Sequence, residues 1–354
     1  MQQIDLRSDT VTNPTPEMRQ AMVDAMVGDD VYEDDITTNE LQKYAAELTG
    51  KEDALFVPSG CFGNQVCIMT HTQRGDEILV NDNSHIIQYE LGAASFISGV
   101  MTRTLACDEN GKMDLDDVNF NIRKGYDVHF PTSKLLCLEQ PSKDGYVFDL
   151  KYLEEMYNLA KKNNLYVHLD GARIFNAASY LNIDVKEITK YCDSVMICLS
   201  KGLCSPAGSL VCGSKDFIFK ARYNRKCMGG GMRQTGVLAA AGLISLQKHT
   251  QLLDKDYQIA QYIGKQLNEK LEKYIEQINL QNYHINMLFF KLKENIKIQS
   301  QDLIKYLQDK HNVLMLPEIE PQLYRIVTHY YIQKEQADIF IKGIQDYLDN
   351  NVKL

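Results

Sequence analysis

Short apolar runs alternate with segments of helical spacing along most of this chain. Residues 16–26 place Met18, Ala21, Met22 and Ala25 on one face behind Pro16, a residue at home in a first helical turn. Residues 39–49 repeat the pattern with Leu41, Tyr44, Ala45 and Leu48, and Gly50 supplies a stop. From there the runs 54–57, 77–80, 134–138, 166–169, 194–199 and 209–212 are short, apolar and separated by helical or polar stretches. Such alternation predicts an α/β fold with a mostly parallel central sheet flanked by helices. A long helical pattern covers 237–280, interrupted near Thr250 and Gly264. Beyond it, 285–292, 313–315 and 323–328 read as strands and 334–349 as a closing helix, which together predict a small C-terminal α+β domain.

At 354 residues the chain exceeds the size at which one core usually divides. The expected division is an N-terminal arm over 1–15, a large domain over 16–250 and a small domain over 251–354. No low-complexity linker or internal repeat sharpens that boundary. With 44% hydrophobic and 24% charged residues, the composition is that of an ordinary globular protein. A net charge of −9 without a basic block offers no footprint for nucleic acid or anionic lipid. No run reaches membrane-spanning length, and the first seven residues include Asp5 and Arg7 where a signal peptide needs an apolar stretch, so a cytoplasmic protein is expected. The nine cysteines are an odd number, and Cys137, Cys198 and Cys212 lie inside apolar runs as reduced core residues would. Cys-x-x-Cys and His-Glu-x-x-His do not occur, and no metal site is expected.

The candidate chemistry gathers where apolar runs end. Asp170 closes one such run and Lys201 follows another 31 residues later. In an open parallel sheet both fall at the carboxyl ends of strands, where ligands bind. An amine and a carboxylate so placed suit pyridoxal 5'-phosphate: the lysine condenses with the aldehyde and the carboxylate keeps the pyridine nitrogen protonated. Ser59, Gly60 and Cys61 follow a strand and open a helical segment, offering backbone N–H groups and a hydroxyl to a phosphate. Each feature has a bland alternative, a capped turn or a surface lysine, and only their combination argues for a site. His85 follows the run 77–80 and would suit stacking on a cofactor ring; His129 precedes the run 134–138. Arg173 and Arg325 are candidates for gripping an anion. The run Gly229-Gly230-Gly231 suggests close backbone approach to a ligand or a neighbouring subunit.

Several of these motifs, in order, resemble the low-specificity L-threonine aldolases, pyridoxal-phosphate enzymes of the aspartate-aminotransferase-like fold type I. The resemblance is carried by residues 5–12, 28–32, 168–177, 198–203, 229–234 and 325–329. It implies retro-aldol cleavage of β-hydroxy-α-amino acids such as threonine to glycine and an aldehyde. By similarity Lys201 is the Schiff-base lysine, Asp170 pairs with the pyridine nitrogen and His85 stacks on the ring. Ser59, Gly60 and Cys61 meet the phosphate, while Ser8, Arg173 and Arg325 orient the substrate carboxylate. Tyr89 lies near the substrate side chain, Lys226 and Arg233 belong to a loop reaching toward the cofactor, and His85 or His129 takes the β-hydroxyl proton. The family also implies a homotetramer with sites at dimer interfaces.

One segment departs from the pattern. Residues 139–143 read Glu-Gln-Pro-Ser-Lys where the family has Glu-Asn-Thr-His-Asn, and Thr132 stands where many members have arginine. Proline removes a backbone donor and restricts Gln140. That change keeps open another pyridoxal-phosphate reaction on a small amino acid, a racemase or a β-eliminating lyase, and beyond it a non-catalytic cofactor-binding protein.

Overall fold

A computed structural model describes residues 3–125 and 127–352. Two compact units are formed, one by residues 13–250 and the other by the residues up to Thr12 together with those from Gln251 onward.

The larger unit is built on a seven-stranded sheet in the order Asp53–Val57, Ser209–Gly213, Ser194–Cys198, Tyr166–Asp170, Ser133–Glu139, Glu77–Asn81, Met101–Leu105. Ser209–Gly213 is antiparallel to both of its neighbours, and the other six strands share one direction. Glu77–Asn81, Ser194–Cys198 and Ser209–Gly213 are buried along their whole length, as strands covered on both faces must be. The predicted α/β class with a mostly parallel sheet is thus borne out. Met101–Leu105 was not predicted: this edge strand reads Met-Thr-Arg-Thr-Leu and buries only Leu105 fully, so it has no apolar run to betray it.

Capping sets the helix starts. Thr15 accepts from Met18 N ahead of Pro16–Asp24, and Asp35 accepts from Thr38 N, so the second helix begins at Ile36 instead of near residue 39. Ser59 accepts from Phe62 N and opens Gly60–His71 directly after the Asp53–Val57 strand. Five strand ends therefore lead, on one edge of the sheet, to Ser59, His85, Gln140, Asp170 and Lys201.

In the smaller unit Met287–Lys291 pairs antiparallel with Leu323–Val327, and Ile4–Asp5 pairs parallel with Val313–Leu314. Helices Leu253–Leu271, Ser300–His311 and Lys334–Asn351 close a core that includes Leu267, Tyr274, Phe290, Tyr324, Phe340 and Ile344. Gly264 does not interrupt its helix as expected: a Cβ there would lie 2.4 Å from Leu280 Cδ2, so glycine permits a close approach. Among the described residues no helix is long and apolar enough to cross a membrane.

Candidate active site

Asp170 ends its strand almost fully buried. Its Oδ2 accepts from Asn64 Nδ2 at 2.8 Å and its Oδ1 from Ala172 N at 3.0 Å, which leaves each oxygen a lone pair for a further donor. Asn64 lies one turn into Gly60–His71, whose first-turn N–H groups have no partner within the helix. Ser59 and Cys61 are exposed at that end, with Gly60 between them, so the backbone donors and the Ser59 hydroxyl form a small anion cradle. A Cβ on Gly230 would fall 2.3 Å from the Phe62 ring, which places the triple-glycine loop against the same helical turn. Lys226 accompanies that loop: a Cβ on Gly231 would meet its Cδ at 2.9 Å. Arg233 is engaged elsewhere, in an ion pair with Asp29 at 2.8 Å.

His85 begins a short helix beyond the Glu77–Asn81 strand. Its backbone N–H donates to Glu139 Oε1, and its Nδ1 lies 3.0 Å from Glu90 Oε1. Glu90 also accepts from Asn64 Nδ2 at 2.8 Å and from Gln65 Nε2 at 2.9 Å. His85 thus spends Nδ1 on Glu90, which turns Nε2 away from that carboxylate. The Tyr89 ring is 5.5 Å from that imidazole. Glu139, buried at the neighbouring strand end, is pushed up to about 8 by burial and by the charge of Asp170, against the donors His85 N and Lys143 N. Cys61 is an exposed residue whose thiol is nonetheless pushed up to about 11 by desolvation and then by Glu90, Cys198 and Asp170, so it is no thiolate at neutral pH.

His129 stands apart from these groups. It is exposed, with Nδ1 on Asp127 at 2.8 Å, in the loop leading into the amino end of the Ser133–Glu139 strand. Seven residues of strand, roughly 20 Å, separate that end from the Glu139 end. Arg173 caps the helix Ile174–Leu181 just beyond Asp170, and Lys201 follows the Ser194–Cys198 strand. Ser8 and Arg325 belong to the other unit: Ser8 caps the turn Asp9–Val11, and Arg325, on the Leu323–Val327 strand, has a buried Nε without a hydrogen-bond partner.

The altered segment after Glu139 is structural. Gln140 is fully buried, its amide donates to Phe148 O at 2.9 Å and accepts from Phe148 N at 3.1 Å, and the peptide to Pro141 is cis. The side chain closes its own loop.

Asn64, Gln65 and Glu90 were not identified from the sequence as site residues. The one available signal was two adjacent amides, Asn64 and Gln65, inside an otherwise small and apolar helical segment.

Residues 5–292 match the beta-eliminating lyase family. A low specificity L-threonine aldolase of Escherichia coli K12 is 42% identical over 333 residues, covering 94% of this chain and 96% of the relative. The low-specificity L-threonine aldolase 1 of Arabidopsis thaliana is 41% identical over 337 residues, 94% and 92% of the two chains. This chain belongs to the low-specificity L-threonine aldolase family. Among solved structures, the threonine aldolase of Leishmania major superposes with a TM-score of 0.81 at 18% identity over 98% of this chain and 99% of that one, a likeness of fold. The family makes the chain a pyridoxal-phosphate-dependent lyase.

Proposed function

We propose that the protein cleaves L-threonine, L-allo-threonine and related β-hydroxy-α-amino acids to glycine and an aldehyde, using pyridoxal 5'-phosphate. The observation that carries this reading is the meeting of Asp170, Asn64, Glu90 and His85 on one sheet edge with the exposed start of the Gly60–His71 helix. The residues fit the cofactor: Asp170 has lone pairs to spare for a protonated ring nitrogen, and the helix start offers the phosphate unpartnered N–H groups. When bound, the cofactor supplies an electron sink for the bond broken at the substrate α-carbon.

The chain's own residues then divide the work. Lys201 would hold the cofactor aldehyde, Asp170 would pair with its ring nitrogen, and Ser59, Gly60 and Cys61 would anchor the phosphate, with Lys226 and Arg233 in the adjoining loop. By resemblance to the family, Ser8, Arg173 and Arg325 would take the substrate carboxylate. Holding the carboxylate would fix which bond at the substrate α-carbon is broken, and so set the reaction type. His85, its Nδ1 turned to Glu90, would take the β-hydroxyl proton at Nε2 and would lie against the cofactor ring. Tyr89 beside it bounds the space for the substrate side chain. His129 keeps a role only toward the site of another copy, which accords with a homotetramer having sites at dimer interfaces. The exposed apolar side chains of Tyr89, Leu91 and Phe96 favour such coverage.

The test is acetaldehyde release from L-threonine by purified protein supplied with pyridoxal phosphate, with Lys201→Ala as control. Lysine-dependent acetaldehyde is expected. Enantiomer conversion or keto-acid formation without acetaldehyde would replace the aldolase by a racemase or β-eliminating lyase.

A further inference from the structure

Behind Asp170 a row of polar side chains runs through the buried layer between the sheet and the Gly60–His71 helix. Asn64 Oδ1 lies 3.0 Å from His168 Nε2, His168 Nδ1 lies 3.0 Å from Ser194 Oγ, and Ser194 Oγ lies 2.8 Å from His71 Nε2. His168 and Ser194 are fully buried, and Asn64 is too. The His71 ring is sandwiched between Tyr166 and Phe217, with centroids 4.7 and 4.5 Å away. Polar groups in such a layer are costly unless each finds its partner, so their presence asks for a role.

The direction of every bond follows from its end. Asn64 Nδ2 faces two carboxylates, Asp170 and Glu90, and uses both of its hydrogens on them. Its Oδ1 must then accept, which requires the His168 proton on Nε2. Burial lowers His168 to about 4, so the ring is neutral and Nδ1 is bare. That nitrogen accepts the Ser194 hydroxyl hydrogen, and Ser194 Oγ in turn accepts from His71 Nε2–H. Burial and then His168, Lys161 and Lys220 disfavour a charged His71; at His168 the charge of Asp170 and the Ser194 backbone oppose burial without overcoming it, and the Cys67 thiol beside Ser194 is a weaker acceptor than an imidazole nitrogen. All the donors point toward the two carboxylates.

We propose that Asn64 is a positioning residue, locked in one orientation by the one-way row His71–Ser194–His168, and that it sets Asp170 and, through Glu90, the His85 tautomer together. This inference rests on the assignment of Asp170 to the cofactor ring. It gives the ring-nitrogen carboxylate and the proton acceptor a common support, so disturbing the row slows the chemical step without weakening substrate binding.

Two measurements test it. In the wild-type protein free of cofactor, long-range ¹⁵N–¹H correlation of the histidine rings should find His168 and His71 neutral with the proton on Nε2 from pH 6 to 9. An Nδ1–H tautomer or a charged ring at His168 overturns the row. In the loaded enzyme, His168→Leu should lower kcat by about ten- to a hundredfold with KM changed less than about twofold, and His168→Gln, whose amide can still donate to Asn64, should recover most of it. Equal loss in both variants, or a loss confined to KM, also overturns the proposal. A wild-type enzyme that binds no pyridoxal phosphate would sink the reading of the site instead, and the tautomer measurement would still decide the row.

Discussion

The two edges of the central sheet handle buried carboxylates in opposite ways. At the amino end of its strand, Glu77 is wholly buried and fully compensated: Arg103 Nη2 lies 3.0 Å away, Arg123 Nε 3.5 Å, and Ser133 Oγ donates at 2.8 Å. At the carboxyl edge, Asp170, Glu90 and Glu139 are buried beside one another and their hydrogen bonds come from amides, an imidazole and backbone N–H groups. Arginine neutralises the first carboxylate and leaves nothing for a ligand. Neutral donors hold Asp170 in place without an opposing charge and leave it to act on a bound cation such as a pyridinium, whereas Glu139, pushed up to about 8, keeps its proton. The same residue type is structural at one edge and poised for chemistry at the other, and the choice of donor makes the difference.

Substitutions that separate the edges can break this comparison. Lys201→Ala should remove threonine cleavage by at least about a thousandfold with the fold intact; near-wild-type turnover in a coupled acetaldehyde assay would take the lysine out of the reaction. His85→Asn should cost about a hundredfold or more in kcat, whereas His129→Asn should cost far less, as the same acetaldehyde assay on each variant would show. At the opposite edge, Glu77→Gln strands two partly buried arginines, and chemical denaturation should find it about 2–3 kcal/mol less stable, with kcat changed little.

The smallest effect concerns Glu139. Its proton is held up to about 8 in the folded chain against an ordinary 4.5, so the folded state binds more protons than the unfolded one between those values. Stability of the cofactor-free protein should therefore fall as pH rises through that window. Glu139→Gln should flatten the slope, as melting temperatures at pH 5 and pH 8 would reveal; an unchanged slope would assign it to another group.

The legible parts of the site were those written locally. Asp170 and Lys201 each end an apolar run, and Ser59 caps a helix that follows a strand, so a short window of sequence placed them. His129 precedes its strand while His85 follows its own, a distinction of order that puts them at opposite edges. Illegible were the partners made by folding: Asn64 meets Glu90 across 26 residues, and His168 across 104. The polar edge strand Met101–Leu105 escaped for a different reason, since neither face carries an apolar pattern. Gln140, whose segment departs from the family pattern, spends its amide on Phe148, a partner eight residues away that no periodicity marks.

The most direct test of the contrast pairs Asp170→Asn with Glu77→Gln, measuring kcat for threonine cleavage and unfolding free energy on both. Asp170→Asn should lose at least about a hundredfold in kcat at near-wild-type stability, while Glu77→Gln should lose stability and keep kcat. Wild-type turnover in Asp170→Asn, or a comparable loss of turnover in Glu77→Gln, would contradict the division of the sheet into a chemical and a structural edge.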